Sequence, residues 1–182
     1  MRVLGVDPGS QVTGYGLVEK RNSELICIHS GHVAAPGNTP FYDRIHRIFK
    51  SMEEIMRCYR PQEMAIEDMF YAKNIKSSLK LGHARGAVLI AAVQCGVRIF
   101  EYTPLEIKKS VVGYGRATKE QVRSMVRIIL KLKGIPRLDT SDALAAAICH
   151  HNWSRFQPPA ASNGLFEKAK PLPHGKQSAC RR

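Results

Sequence analysis

The apolar residues change their period part-way along the chain, and this change restricts the fold more than any other feature. Val3-Leu4-Gly5-Val6-Asp7 is a short apolar run halted by Pro8-Gly9. Thr13 to Val18 then follows a strand pattern, so the start of the chain predicts a hairpin. Glu24 to Ala35 carries Leu25, Ile26, Ile28 and Val33 and stops at Pro36-Gly37, which adds a third antiparallel strand. From Phe41 to Tyr59 the spacing becomes three and four: Ile45, Ile48, Phe49, Met52, Ile55 and Met56 share one face of a helix, closed by Pro61.

Beyond that point strands alternate with helices. Met64-Ala65-Ile66-Glu67 is a short strand, a helix covers about Ser77 to Cys95, and Val97 to Tyr102 is a further strand. Thr103-Pro104-Leu105-Glu106 starts a helix with a Thr cap, Pro at the first helical position and Glu three residues after the cap. Thr118-x-x-Gln121 opens another, running towards Leu132, and a last helix covers about Ser141 to Asn152. Three antiparallel strands followed by this alternation predict an α/β layer sandwich, a mixed five-stranded sheet flanked by helices. The folded domain is expected over 1–155. From Gln157 to Arg182 the chain has no periodicity and five basic residues against one acid, so 156–182 reads as a flexible basic tail.

Lys and Arg number 28 against 15 Asp and Glu, a formal charge of +13 that suits a polyanionic partner, nucleic acid first. The five cysteines are scattered without a C-x-x-C pair, and read as reduced thiols of a cytoplasmic protein. No cationic-then-apolar leader precedes the first motif. The most apolar stretch, Ala87 to Val93, is far below the ~20 residues of a spanning helix, so no membrane association is expected.

Four carboxylates stand where an α/β fold gathers its chemistry: Asp7 and Glu67 at strand ends, Asp139 and Asp142 at the start of the last helix. An acidic cluster aimed at a phosphodiester repels it unless divalent cations lie between. Mg²⁺, or Mn²⁺ in its place, is therefore the expected cofactor, and a pair of ions would serve an in-line displacement. Plainer readings exist for each acid. Asp139 could cap the helix with Asp142 favourable near its positive end, Asp7 could form the turn before Pro8-Gly9, and Asp68 could be the functional acid in place of Glu67. Strand alternation allows only one of Glu67 and Asp68 to face the site.

Five motifs in order lift these ambiguities. Asp7-Pro8-Gly9-Ser10-x-x-Thr13-Gly14-Tyr15-Gly16, Ala65-Ile66-Glu67-x-x-Phe70-x-Ala72-Lys73-Asn74 and Leu79-Lys80-Leu81-Gly82-x-Ala84-Arg85-Gly86 come first. Val111-Val112-Gly113-x-Gly115 and Asp139-x-x-Asp142-Ala143-Leu144-Ala145 follow. Together they closely resemble the RuvC family of Holliday-junction resolvases. The resemblance implies an RNase H-like domain, a homodimer, and paired symmetric nicks across a four-way DNA junction that leave 5′-phosphate and 3′-hydroxyl ends. It implies that Asp7, Glu67, Asp139 and Asp142 bind the metal, about two ions per site, that Lys108 and Lys119 lie near the scissile phosphate, and that Phe70 stacks on bases. It also suggests the RuvA and RuvB branch-migration proteins as partners.

Further DNA contacts are expected from Lys73, Asn74 and Lys76 beside the same site, from Arg116, and more weakly from Arg85. Lys119, Arg123, Arg127 and Lys131 recur at four as a basic stripe, which a solvated helix face would explain equally well. Gly82 and Gly86 would permit close helix packing, either between subunits or within one. His150 and His151 read as structural or surface residues, and Trp153 as core. The first hairpin also looks like the phosphate-binding hairpin of the actin and sugar-kinase ATPases, but no second Asp-x-Gly hairpin occurs in 182 residues. A non-catalytic junction-binding module would not need four acids. Another RNase H-like nuclease would have them, and the stretch from Phe70 to Gly86 argues against it.

Overall fold

The computed structural model describes residues 1–68 and 75–153. Its elements run β1 (Arg2–Asp7), β2 (Val12–Arg21), β3 (Glu24–Ala34), α1 (Phe41–Tyr59), β4 (Glu63–Glu67), α2 (Ile75–Gln94), β5 (Arg98–Tyr102), α3 (Pro104–Val112), α4 (Lys119–Ile129) and α5 (Leu138–Trp153). The sheet order is β3-β2-β1-β4-β5. β1 pairs antiparallel with β2 and parallel with β4, β2 pairs antiparallel with β3, and β4 pairs parallel with β5. The expected five-stranded mixed sheet is therefore present.

Alternation along the strands sorts side chains between two helical layers. Val3, Val18 and Ala65 join the apolar cluster formed with α3, α4 and α5, whereas Leu4, Val6, Leu17, Met64 and Ile66 join the one formed with α1 and α2. Both Thr-capped helices begin as expected, with reciprocal capping boxes at Thr103/Glu106 and Thr118/Gln121.

Three boundaries differ from the sequence reading. α2 begins at Ile75 rather than Ser77. α4 ends at Ile129, short of Leu132, because the chain turns left-handed at Lys131 with φ of 50°. α5 begins at Leu138, ahead of Ser141, since the Ser141 amide already donates to the Arg137 carbonyl (2.8 Å). Asp139 thus stands inside the first turn and is not the cap.

Cys27, Cys95 and Cys149 are free thiols. No helix among the described residues is long and apolar enough to cross a membrane. The basic tail, Phe70, Tyr71, Lys73 and Asn74 lie outside the described residues.

His150 and His151 are buried, which favours the structural over the surface reading. His150 lies between the Tyr102 hydroxyl (2.7 Å) and the Glu63 carboxylate (2.5 Å), and His151 reaches the Val18 carbonyl (3.1 Å). Trp153 packs half-buried against the α5 cluster.

Candidate active site

β1 and β4 run parallel with Val6 opposite Ile66, so the next residue of each, Asp7 and Glu67, emerges at the same sheet edge. Val3 and Ala65 face α5. Period two then places Asp7 and Glu67 on that same face, and turns Asp68 away. Asp68 is exposed, and its amide donates to the Tyr102 carbonyl (2.8 Å). Glu67 is the acid whose charge acts on Asp7, while Asp68 borders the same cavity from just past the strand end.

α5 brings the other pair because the sheet beneath it is cut down to glycine. A Cβ on Gly5 would stand 1.8 Å from the Ala143 carbonyl oxygen, and one on Gly14 would stand 2.0 Å from that of Asp139. Gly14 is the register partner of Asp7, so the start of α5 lies over the end of β1. The Thr140 hydroxyl donates to the Gly31 carbonyl (3.1 Å) and ties this turn to β3. Sequence reasoning did not foresee this packing. Glycine at positions 5, 14 and 16, with Ala143 and Ala145 to Ala147 on the helix, is the signal that could have revealed it.

The four acids feel one another. Burial pushes the Asp7 carboxyl up to about 7, with the charges of Asp142, Glu67 and Asp139 adding to it and Lys119 opposing. Glu67 is raised by burial and by Asp142, against Lys119 and Lys108. Asp142 is raised by burial and, less strongly, by Asp139, while Lys119 and Lys108 again oppose. Such mutual destabilisation of carboxylates marks a site built for something other than structure.

Hard oxygen donors from three elements are the ligand chemistry of Mg²⁺ and Mn²⁺. The residues therefore fit such an ion in kind. Among the described residues no group of three is gathered closely enough to form a ready cage. Like charges at this range resist closing further, and a divalent cation supplies the opposite charge.

Two lysines border the acids. Lys119, the first residue of α4, pairs with Asp142 (3.3 Å), and that carboxylate holds the ammonium pKa above its ordinary value. Lys108, on α3, is half-buried and lowers both Glu67 and Asp142. Arg116 is exposed just before α4, and Lys76 is exposed in the first turn of α2. Arg137, which sequence reasoning missed, stands 3.9 Å from Asp139.

The remaining basic candidates are placed differently. Arg123 donates its Nε to the Pro136 carbonyl (2.5 Å), which commits part of its guanidinium to the loop before α5. Lys131 lies beyond α4 and pairs with Glu24 (2.9 Å), so the basic stripe stops at Arg127. Arg85, expected as a weaker DNA contact, has its guanidinium engaged within the subunit. Its side chain is only 10% exposed, with one nitrogen on the Glu67 carbonyl (2.6 Å) and another on Glu101 (2.9 Å).

The family model described as crossover junction endodeoxyribonuclease RuvC matches residues 3–150. The chain belongs to the RuvC family. Among RuvC relatives, that of Geobacter metallireducens is 49% identical over 152 residues, 84% of this chain and 93% of the relative. That of Caldanaerobacter subterraneus is 46% identical over 151 residues, 82% and 92% of the two chains. Thermus thermophilus RuvC, solved in complex with a Holliday junction substrate, superposes with a TM-score of 0.81 at 36% identity, covering 85% of this chain and 95% of that one. The yeast mitochondrial resolvase Ydc2, at 13% identity and a TM-score of 0.57, shares the fold. The RNase H-like architecture expected from the RuvC motifs is thus borne out.

Proposed function

We propose that the chain resolves four-way DNA junctions by hydrolysing one phosphodiester in each of two symmetric strands. The observation that carries this reading is the convergence of Asp7, Glu67, Asp139 and Asp142 at one sheet edge, with Lys108 and Lys119 acting on the same carboxylates. The four acids would hold Mg²⁺, or Mn²⁺, about two ions per site. Bound there, the ions would activate water and offset charge on the departing oxygen. Water oxygen bonds to phosphorus while the bond to the 3′ oxygen breaks, leaving 5′-phosphate and 3′-hydroxyl ends. Lys119 and Lys108 hold positive charge where phosphate charge builds. Arg116 and Lys76 would extend the phosphate track, with Phe70, Lys73 and Asn74 at the junction itself.

Paired nicking needs two sites, and α2 offers a surface for a second copy. Ile75, Leu79, Gly82, Gly86, Ile90 and Val93 recur at three and four along it, and the four large residues are 78%, 59%, 54% and 38% exposed. A Cβ at Gly82 or Gly86 would meet nothing within 4 Å, so packing within the subunit does not explain these glycines. Each costs the helix about 1 kcal/mol relative to Ala. An apolar stripe with two small residues at its centre suits an isologous helix pair. A cytoplasmic location and association with RuvA and RuvB belong to the same reading, on family resemblance.

The test is cleavage of a labelled four-way junction beside linear duplex and RNA–DNA hybrid, with Mg²⁺ and with EDTA. Symmetric metal-dependent nicks in the junction alone are expected. Cutting of the hybrid instead would move the chain to another branch of RNase H-like nucleases.

A further inference from the structure

We propose that Arg85 is a positioning residue for Glu67, holding from α2 the end of the strand that carries this acid. The inference rests on the reading of Glu67 as a metal-binding acid. β4 ends at Glu67, where its ladder with β5 gives out at the Glu67–Tyr102 pair. At that point the Arg85 guanidinium donates one nitrogen to the Glu67 carbonyl (2.6 Å) and a second to the Glu101 carboxylate on β5 (2.9 Å). A planar fork engaging acceptors on two neighbouring strands fixes their lateral position as a single donor cannot.

The direction of approach separates this role from catalysis. α2 packs on the sheet face that holds Met64 and Ile66, the face opposite the one towards which alternation turns Glu67. Arg85 therefore grips the backbone from below while the carboxylate projects above. It also helps line the cavity beside Asp7, Pro8, Glu67 and Pro104. The neighbouring strand end is held in the same way. Arg44 of α1, 6% exposed, donates to the Ser10 carbonyl (3.1 Å) in the turn that follows Asp7. Each of the two acid-bearing strands thus ends in a clamp supplied by the helical layer beneath. Because α2 also bears the apolar stripe, the subunit interface and Glu67 are joined through one side chain.

The experiment compares Arg85→Lys and Arg85→Gln with the unaltered full chain in Mn²⁺ binding by calorimetry, junction affinity in EDTA, junction cutting and thermal melting. Arg85→Lys retains charge and can reach one acceptor at a time, so it is the variant expected to stay folded. Outer groups that orient metal ligands matter on the order of 10- to 100-fold, and Mn²⁺ affinity and cutting rate should both fall within that range. Junction affinity in EDTA should stay within about twofold, with an unchanged salt slope, since no phosphate contact is lost.

Weaker junction binding with a salt slope shallower by about one, and Mn²⁺ binding intact, would overturn the proposal and return Arg85 to the DNA surface. A lower melting temperature with Mn²⁺ affinity intact would also overturn it, leaving Arg85 a structural residue. Failure of the unaltered chain to bind Mn²⁺ or cut junctions would sink the function itself, and the proposal with it.

Discussion

Gly5 on β1 and Ala143 on α5 meet so closely that the missing Cβ of the glycine would overlap the alanine carbonyl, 1.8 Å away. Backbone, unlike a flexible side chain, cannot step aside. Gly5→Ala should therefore lift α5 from the sheet, taking Asp139 and Asp142 with it. Overpacking of this kind costs about 1–3 kcal/mol. The expected outcome is a lower melting temperature and lost cutting in whatever fraction folds. Gly134→Ala, where a Cβ meets nothing, should melt within ~0.5 kcal/mol of the parent. Full activity in a stable Gly5→Ala protein would show that α5 is not held by this approach.

Asp7→Asn should bind four-way junctions and fail to cut them. The basic face survives the substitution, while the acid that feels the other three loses its charge. Electrophoretic binding and cleavage on the same junction read the two properties separately. Normal cutting would remove Asp7 from the ligand set.

The raised acid also sets a pH dependence. Asp7 is moved from 3.8 to about 7 by burial and by Asp142, Glu67 and Asp139, against Lys119. The folded state then binds more protons than the unfolded chain between those values. The Asp7 contribution to stability falls as pH rises through this window, by on the order of a few kcal/mol, against the opposite contribution of buried His151, whose pKa is lowered. Glu67 and Asp142, raised as well, act in the same direction as Asp7. Without divalent cations the melting temperature should drop from pH 5 to pH 8. Mg²⁺ should restore more of it at pH 8, and its binding near pH 6 should release protons. A melting temperature that rises over this range in EDTA would contradict the assignment.

Widening α2 at its two glycines tests the proposed subunit interface. Gly82→Leu with Gly86→Leu adds a Cβ at two points where nothing lies within 4 Å of it, and replaces residues that weaken a helix. The double variant should fold and sediment as a monomer, and symmetric paired nicks should be lost. A dimer that persists at assay concentrations would place the interface elsewhere.

The sequence carried most of the fold because its periods are clean. Alternation in β1 and β4 placed Asp7 and Glu67, and the capping boxes at Thr103 and Thr118 marked two helix starts within a residue. The chain resisted reading where tertiary partners decide. Arg85 looks like any basic surface residue, and only the meeting of β4 and β5 beneath it shows that its charge is spent on Glu67 and Glu101. Lys131 continues the four-residue spacing of Lys119, Arg123 and Arg127 in sequence, yet leaves the helix in space. The depth of α5 in the sheet likewise follows from Gly5 and Gly14 facing it, a relation between residues more than a hundred positions apart.

His150 separates scaffold from chemistry. It is 1% exposed and joins Tyr102 to Glu63, at the start of β4, whereas Glu67 lies at that strand's other end. His150→Ala leaves a buried carboxylate and phenol short of a partner and opens a cavity beside Phe100, whose ring centroid lies 4.5 Å away. An unsatisfied buried polar group costs about 1–3 kcal/mol, and the cavity adds to it. The melting temperature should fall accordingly. Because β4 is rigidly paired on both sides, Mn²⁺ affinity and junction cutting at low temperature should stay within about threefold of the parent. A selective loss of Mn²⁺ binding with the melt unchanged would mean that this network tunes the acids along the strand, and that His150 belongs to the site.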